Sequence, residues 1–383
     1  ECIAAGDNNY TSLSGQVNHL PAMPKPDTSL DKKIDFHLAA LFAFTKIGNA
    51  VTFPEGSMMG YYDELKKKAD STGMPSSVLK NTIAFSDSVV ATIMKWSKQD
   101  NYAKTRSAEK YAVRDEDGRW VPTPPMYTPA VEPHWREIRT LVLDSCSEFM
   151  PPRPPKFDMN NKSSDYYKCL LEVKTTGDSL TDEQKAIADF WDDNPFKLNV
   201  SGHVQFATKK FSPPGHWMNI VGIAAKEAKA DFNTTVAAYT ETSIALFDAF
   251  ISCWDEKFRS NCIRAETVIN KYIDENWHPY IQTPPFPSYT SGHATISAAA
   301  AEVMTKWFGD HLSFIDTSSL EFGIQSRRIE SFRQAAKEAA MSRLYGGIHF
   351  RFDNEEGNKC GRMLGEFVVQ KLKMSKEPIA AKN

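Results

Sequence analysis

Apolar positions recur along much of this chain at intervals of three and four, the spacing that lines one face of an α-helix. From Leu30 to Ile47 they run through Ile34, Leu38, Leu41 and Ala43, which predicts a first buried helix ended by Gly48. Helical patterns follow at Tyr61–Ser71 and, after the start signal Pro75-Ser76-Ser77, at Val78–Lys98. Others cover Asp165–Thr175, Thr181–Trp191 and Trp217–Ala230; Thr181 opens its segment with a capping hydroxyl followed by acidic residues. The longest spans Asp231–Asn261, where Val236, Tyr239, Ile244, Phe247, Phe250, Ile251 and Trp254 form one stripe. Ile329–Leu344 is a further amphipathic helix. Alternation of period two is scarce. The expected fold class is therefore all-α, two packed helical bundles with long proline-rich connections.

Prolines break this pattern in two places. Asp115 to Pro133 carries Pro122, Pro124, Pro125, Pro129 and Pro133, and Pro151 to Pro155 adds four more, so the backbone there must run without regular pairing. Loops of that length serve either a site or as straps over a core. The expected division is a tail over 1–29, an N-terminal helical half over 30–180 and a C-terminal bundle carrying the site over 181–383, all in one compact unit.

Composition narrows the function classes. Hydrophobic residues at 41% of 383 suffice for a core, and a net charge of −3 offers no basic footprint for nucleic acid. No apolar run approaches the roughly 18 residues of a spanning helix. The six cysteines, Cys2, Cys146, Cys169, Cys253, Cys262 and Cys360, show neither a CxxC pair nor zinc spacing and read mostly as buried thiols. Cys2, before a polar stretch, also fits the residue left by an exported, lipid-anchored precursor, which suggests an extracytoplasmic location.

The candidate chemistry lies in three short segments. Lys257 and Arg264 are seven residues apart, which two turns of one helix would place on the same face. Asp255 and Glu256 beside the lysine are equally what a solvated face carries. Ser291-Gly292-His293 follows Pro284, Pro285 and Pro287 and opens a segment whose apolar positions keep helical register through Ile296, Ala300, Val303 and Trp307 to Gly309. The free N–H groups of a helix start can hold an oxyanion, although Ser291 could be only an N-cap. Arg343 ends the Ile329–Leu344 helix before Gly346-Gly347, and His349 and Asp353 follow four residues apart. A carboxylate one turn from an imidazole can fix its tautomer, or simply cap the next helix.

Taken together, Lys257-x6-Arg264, Ser291-Gly292-His293 and Ser342-Arg343-x5-His349-x3-Asp353 resemble the three-part signature of the type 2 phosphatidic acid phosphatase and vanadium-dependent haloperoxidase superfamily. Trp120 to Pro125, Phe190-Trp191 and Gly215-His216-Trp217 are similar to its soluble, secreted bacterial branch, so the resemblance covers roughly residues 35 to 372. Ala265 and Thr290 depart from it, standing where the family usually has prolines. The resemblance implies that Lys257, Arg264 and Arg343 bind the oxygens of a tetrahedral oxyanion with Ser291 and the Gly292 amide. It makes His349 the nucleophile, or the direct ligand of vanadate, with Asp353 orienting it and His293 as acid and base.

Two activities fit the signature. Phosphate monoester hydrolysis through a phosphohistidine, fastest in mild acid and needing no cofactor, is placed first because phosphate is the commoner anion. The alternative is a vanadium haloperoxidase with vanadate in the same cage and halide and peroxide as substrates, Phe286 lining a halide pocket. A catalytically inactive helical scaffold is the third reading, weakened because no chemically necessary residue is missing.

Overall fold

The computed structural model describes residues 1–27, 29, 32–52, 57–114, 116–194, 198–201, 204–207 and 211–376. Leu30 and Asp115, at the edges of two expected segments, lie outside them. The chain forms two compact units, Glu1–Ala103 with the segment from Lys371, and Lys104–Gln370. The division thus falls near residue 104, where the sequence reading placed it at 180. The reason is visible in the proline-rich straps: their polar backbone groups bond to the second unit, Trp120 N–H to Asn261 O at 3.0 Å, Ile263 N–H to Gly118 O at 3.0 Å and Val131 N–H to Pro285 O at 3.0 Å. Asp248 further binds the N–H groups of Leu141, Val142 and Leu143 at 2.6, 2.8 and 3.1 Å.

The first unit holds α1 (Cys2–Gly6), α2 (Phe36–Val51), α3 (Ser57–Ser71) and α4 (Ser76–Ser97). Asp35 caps α2 by accepting the Leu38 N–H at 3.0 Å. Helix α2 continues through Gly48 instead of stopping there, because that glycine serves packing: a Cβ would sit 2.4 Å from the Met58 methyl on α3. Phe42 packs on Tyr62 and Leu79, while Ala39, Phe85 and Val89 surround Cys2. The expected tail over 1–29 is therefore not a tail. Cys2 and Ile3 are buried, Tyr10 bridges to Ser375, and Trp96 Nε1 donates to Asn18 O at 2.9 Å.

After one turn, α5 (Tyr102–Thr105), and the straps, the second unit continues with α6 (Asp165–Asp178), α7 (Asp182–Phe190), α8 (Pro213–Glu227), α9 (Phe232–Ser260), α10 (Ala265–Tyr272), α11 (Gly292–Phe308), α12 (Phe332–Tyr345) and α13 (Arg351–Lys371). The start of α7 is a full capping box, Thr181 and Gln184 each satisfying the other's N–H. Helix α11 packs on α8, α9 and α12, and α12 also packs on α6 and α7. Alanines at 298–301 and at 335, 336, 339 and 340 keep these helices thin and close.

On α13 the positions Gly357, Gly361 and Gly365 share one face, and a Cβ at Gly361 would lie 1.9 Å from Thr295 O of α11. Two helix backbones thus meet directly, which brings the first turn of α13 beside the start of α11. Two short antiparallel pairs complete the described residues, β1 (Leu198–Ser201) with β2 (Val204–Ala207), and β3 (Phe314–Asp316) with β4 (Arg327–Ile329). Strands of three or four residues carry too little alternation to be read from the sequence. The fold class is all-α, as expected. Among the described residues no helix is long and apolar enough to cross a membrane, and all six cysteines are free thiols.

Candidate active site

Lys257 and Arg264 do not share a helix. Helix α9 ends at Ser260, Asn261 reverses the chain in the left-handed conformation (φ 51°), and Arg264 is the N-cap of α10. Seven-residue spacing suggested one face; the structure instead delivers two cations from either side of a break. Both side chains are nevertheless fully buried. The neighbouring Asp255 and Glu256 turn to Arg136 and Arg259, which leaves Lys257 to point inward.

An ammonium has three N–H donors. Those of Lys257 go to the carbonyls of Pro287 (3.0 Å), Ser288 (2.9 Å) and Thr290. In this arrangement Lys257 anchors the loop before α11 and supplies charge, rather than offering a free donor. Burial pulls its ammonium below the ordinary lysine range. Its Nζ lies 5.0 Å from the Phe286 ring centroid, and the Arg264 guanidinium lies 5.1 Å from the same ring.

Arg264 donates from Nε to Phe286 O at 2.8 Å and from Nη1 to Ile348 O at 2.7 Å. Arg343, at the end of α12 and 1% exposed, donates to Trp191 O and faces Asp192 at 3.8 Å. Burial lowers both guanidinium groups, Arg264 to about 9, which leaves it charged at neutral pH. Arg264 Nη2 and Arg343 Nε have no hydrogen-bond partner among the described residues. Buried N–H donors on fixed cations are costly to leave unmade unless an acceptor arrives. An oxyanion is such an acceptor.

His349 is 2% exposed and held from both sides. Its Nδ1 lies 2.8 Å from Asp353 Oδ2, and its Nε2 lies 3.2 Å from Arg264 Nη1. Because a guanidinium can only donate, Nε2 must accept, so the proton sits on Nδ1 and the ring is neutral with a lone pair at Nε2. Burial, then Arg264, Lys257 and Arg343, hold the imidazole well below its usual value. Asp353 Oδ2 also takes the Ser288 hydroxyl and the Phe350 N–H at 3.2 Å. Burial raises this carboxyl, and the Ser288 hydrogen bond, Lys257 and Arg264 oppose the rise.

Ser291 is the N-cap of α11, its Oγ accepting the Ala294 N–H at 3.4 Å, while its own N–H donates to Asp353 O at 3.0 Å. Ser291 thus caps α11 and ties its start to the first turn of α13. A Cβ on Gly292 would meet only Trp254, at 3.6 Å, so the backbone there stays open to approach. His293, in the first turn of α11, is partly exposed and 4.0 Å from Asp193 Oδ2.

All eight expected residues thus lie in one unit, on the starts of α10, α11 and α13, the ends of α9 and α12, and the loop after Ile348. Of the two departures, Ala265 occupies the first position of α10, where a proline would also fit. Thr290 lends Lys257 its carbonyl. Sequence reasoning missed the segment after α7, where Trp191, Asp192 and Asp193 meet Arg343, His216 and His293. No spacing rule links positions 193, 216 and 316; Phe190-Trp191 and Gly215-His216-Trp217 marked two of these segments by resemblance but gave Asp193, His216 and Asp316 no role.

A family model of the second helical-bundle domain of vanadium chloroperoxidase matches residues 237–377. The structure of a bacterial vanadium-dependent iodoperoxidase is 45% identical, with a TM-score of 0.91 over 98% of this chain and 88% of that one. The chain belongs to the vanadium haloperoxidase-like superfamily. It is an enzyme of that group. Holo and apo forms of a bacterial vanadium-dependent chloroperoxidase share its fold at 17% and 18% identity, with TM-scores of 0.70 and 0.68, each over 97% of this chain. Among curated protein sequences none matches the chain.

Proposed function

We propose that this enzyme is a vanadium-dependent haloperoxidase, oxidising halide, iodide first, with hydrogen peroxide. The net reaction consumes peroxide, halide and a proton and yields hypohalous acid and water. The order of the two activities read from the signature is thereby reversed. The observation that carries the choice is the 45% identity over nearly the whole chain to a vanadium-dependent iodoperoxidase.

The residues fit vanadate. Arg264 Nη2 and Arg343 Nε supply unpaired buried donors, the Gly292 backbone leaves room, and His349 Nε2 carries a lone pair that now accepts from Arg264 Nη1 and that vanadate would take over. Arg264 and Arg343 would hold the oxygens with Ser291 and the Gly292 amide, Lys257 would add charge, and His349 would be the direct ligand. Vanadate bound there supplies the Lewis acid that activates peroxide toward halide. Asp353 keeps the His349 proton on Nδ1, which leaves Nε2 available. His293, the only one of the two site histidines with solvent access, holds and passes the proton that the reaction consumes. Phe286, against both Lys257 and Arg264, gives halide an apolar wall beside fixed positive charge.

The second reading, phosphate monoester hydrolysis, is favoured by one observation: a neutral buried His349 is also a competent phosphorus nucleophile. A paired assay separates the two. Protein reconstituted with orthovanadate should oxidise iodide with peroxide, and the vanadate-free protein should not hydrolyse an aryl phosphate at pH 5 or pH 7. Hydrolysis without vanadate, together with no iodide oxidation after reconstitution, would restore the phosphatase order.

A further inference from the structure

Behind His293 lies a second buried histidine that the signature does not include. His216, in the first turn of α8, is fully buried, its ring stacked at 4.8 Å on Trp191 and flanked by Phe190 and Phe211. Its Nδ1 lies 2.9 Å from Asp193 Oδ2 and its Nε2 lies 2.9 Å from Asp316 Oδ2. Both carboxylates are buried, one in the segment after α7 and the other at the end of β3. With both carboxylates ionised they can only accept, so each nitrogen of the ring carries a proton. The group is then an imidazolium between two carboxylates, and burial, which opposes the charge, is outweighed by Asp193 and Asp316, so the ring is raised to about 9.

The same oxygen of Asp193 that accepts from His216 is the one 4.0 Å from His293 Nε2. At 4.0 Å this is a charge contact and not a hydrogen bond. Its effect therefore depends on where the carboxylate is held.

We propose that His216 is a fixed imidazolium clamp which, anchored by Asp316, holds the Asp193 carboxylate against His293, making Asp193, His216 and Asp316 positioning residues for the site's solvent-accessible histidine. Three elements distant in sequence, the segment after α7, the start of α8 and β3, meet on one ring. The clamp's charge also offsets the two carboxylates, without which Asp193 and Asp316 would leave two buried negative charges facing a neutral ring. The role given to His293 rests on the haloperoxidase reading; the clamp itself does not.

The test has two arms. In wild-type protein without vanadate, ¹⁵N-labelled histidine, assigned by a His216→Gln variant, should show both His216 nitrogens protonated at pH 7.5. A neutral ring at that pH overturns the clamp whatever the enzyme does. In the second arm, Asp193→Asn, which keeps an acceptor for His216 but removes the charge facing His293, should lower kcat for iodide oxidation at least tenfold while vanadate affinity changes less than threefold. Asp316→Asn, which leaves His216 both acceptors but removes one of the two charges that hold it protonated, should make the ring lose its second proton at a lower pH than in wild type; an unchanged titration in the nitrogen spectra removes Asp316 from the clamp. Equal kcat in Asp193→Asn and wild type, or a loss explained wholly by weaker vanadate binding, overturns the positioning role. If wild-type protein binds vanadate and oxidises no halide, the haloperoxidase reading fails, and the nitrogen spectra still decide the clamp.

Discussion

Two histidines in the second unit are almost equally buried, yet one is held charged and the other neutral. His216 sits between two carboxylates and is held protonated; His349 sits between one carboxylate and a guanidinium and is held neutral. Burial alone would neutralise both. What separates them is whether the second nitrogen meets an acceptor or a donor, and that single difference assigns one ring to support and the other to chemistry. A lone pair aimed among cations binds an electrophilic centre, whereas a ring with two committed protons can only hold its neighbours in place.

The most severe way to break the comparison is to remove the neutral ring. His349→Ala should abolish iodide oxidation, with a loss of at least about 10²–10³-fold, and with it the protection against unfolding that vanadate gives the wild type. Steady-state rates and thermal melts with and without orthovanadate measure both. Residual activity above a tenth of wild type would mean that His349 is not the ligand.

A milder perturbation converts the acceptor of His349 from charged to neutral. Asp353→Asn preserves shape but weakens the hold on Nδ1–H, and loss of such a supporting partner typically costs about 10–100-fold in metal affinity. Vanadate titration followed by activity should show that decrease at an otherwise near-normal saturated rate. An unchanged affinity would show that the cations alone fix the ring.

These positions differ in how legible they were. The cations, both site histidines and Asp353 could be read because each lies in a short motif with fixed internal spacing, and the helical stripes could be read because burial imposes a period. Two things could not. The break between Lys257 and Arg264 depends on Asn261 adopting a left-handed conformation that helical spacing does not reveal. The clamp depends on contacts between residues 23 and 100 positions apart, which no local period encodes. Residues 1–27 looked like a tail because closely spaced prolines and polar residues obscured the few buried anchors, Cys2, Ile3, Leu13 and Val17.

The opposite protonation of the two rings also predicts opposite dependences of stability on pH. His216 is raised in the folded state from 6.5 to about 9. Its stabilising contribution is therefore complete below pH 6.5 and disappears as pH rises through 9, by on the order of 3 kcal/mol. His349 is lowered, so the folded state refuses a proton that the unfolded chain accepts, and its penalty appears as pH falls below 6.5. Urea unfolding of wild type and His216→Gln at pH 7 and pH 10 isolates the first effect. The stability gap between them should narrow toward pH 10; a gap of constant size would remove the protonated ring from the argument.

The smallest expected effect concerns the joint between the two cations. Ala265 is the first residue of α10, a position with no intrahelical N–H bond to lose, and Arg264 before it is extended at φ −80° and ψ 147°, the region a following proline requires. Ala265→Pro should stiffen the unfolded chain and stabilise the fold by about 0.4–1 kcal/mol, provided the ring fits a site where Ala265 is fully buried. Overpacking there would instead cost about 1–3 kcal/mol and displace Arg264. Urea midpoints and vanadate affinity measured together decide between these, because a strained joint must weaken both, whereas a compatible proline raises the midpoint and leaves affinity alone. The sign of that shift tests whether the turn after Asn261 carries Arg264 to the His349 ring without strain, the placement on which the neutral half of the comparison depends.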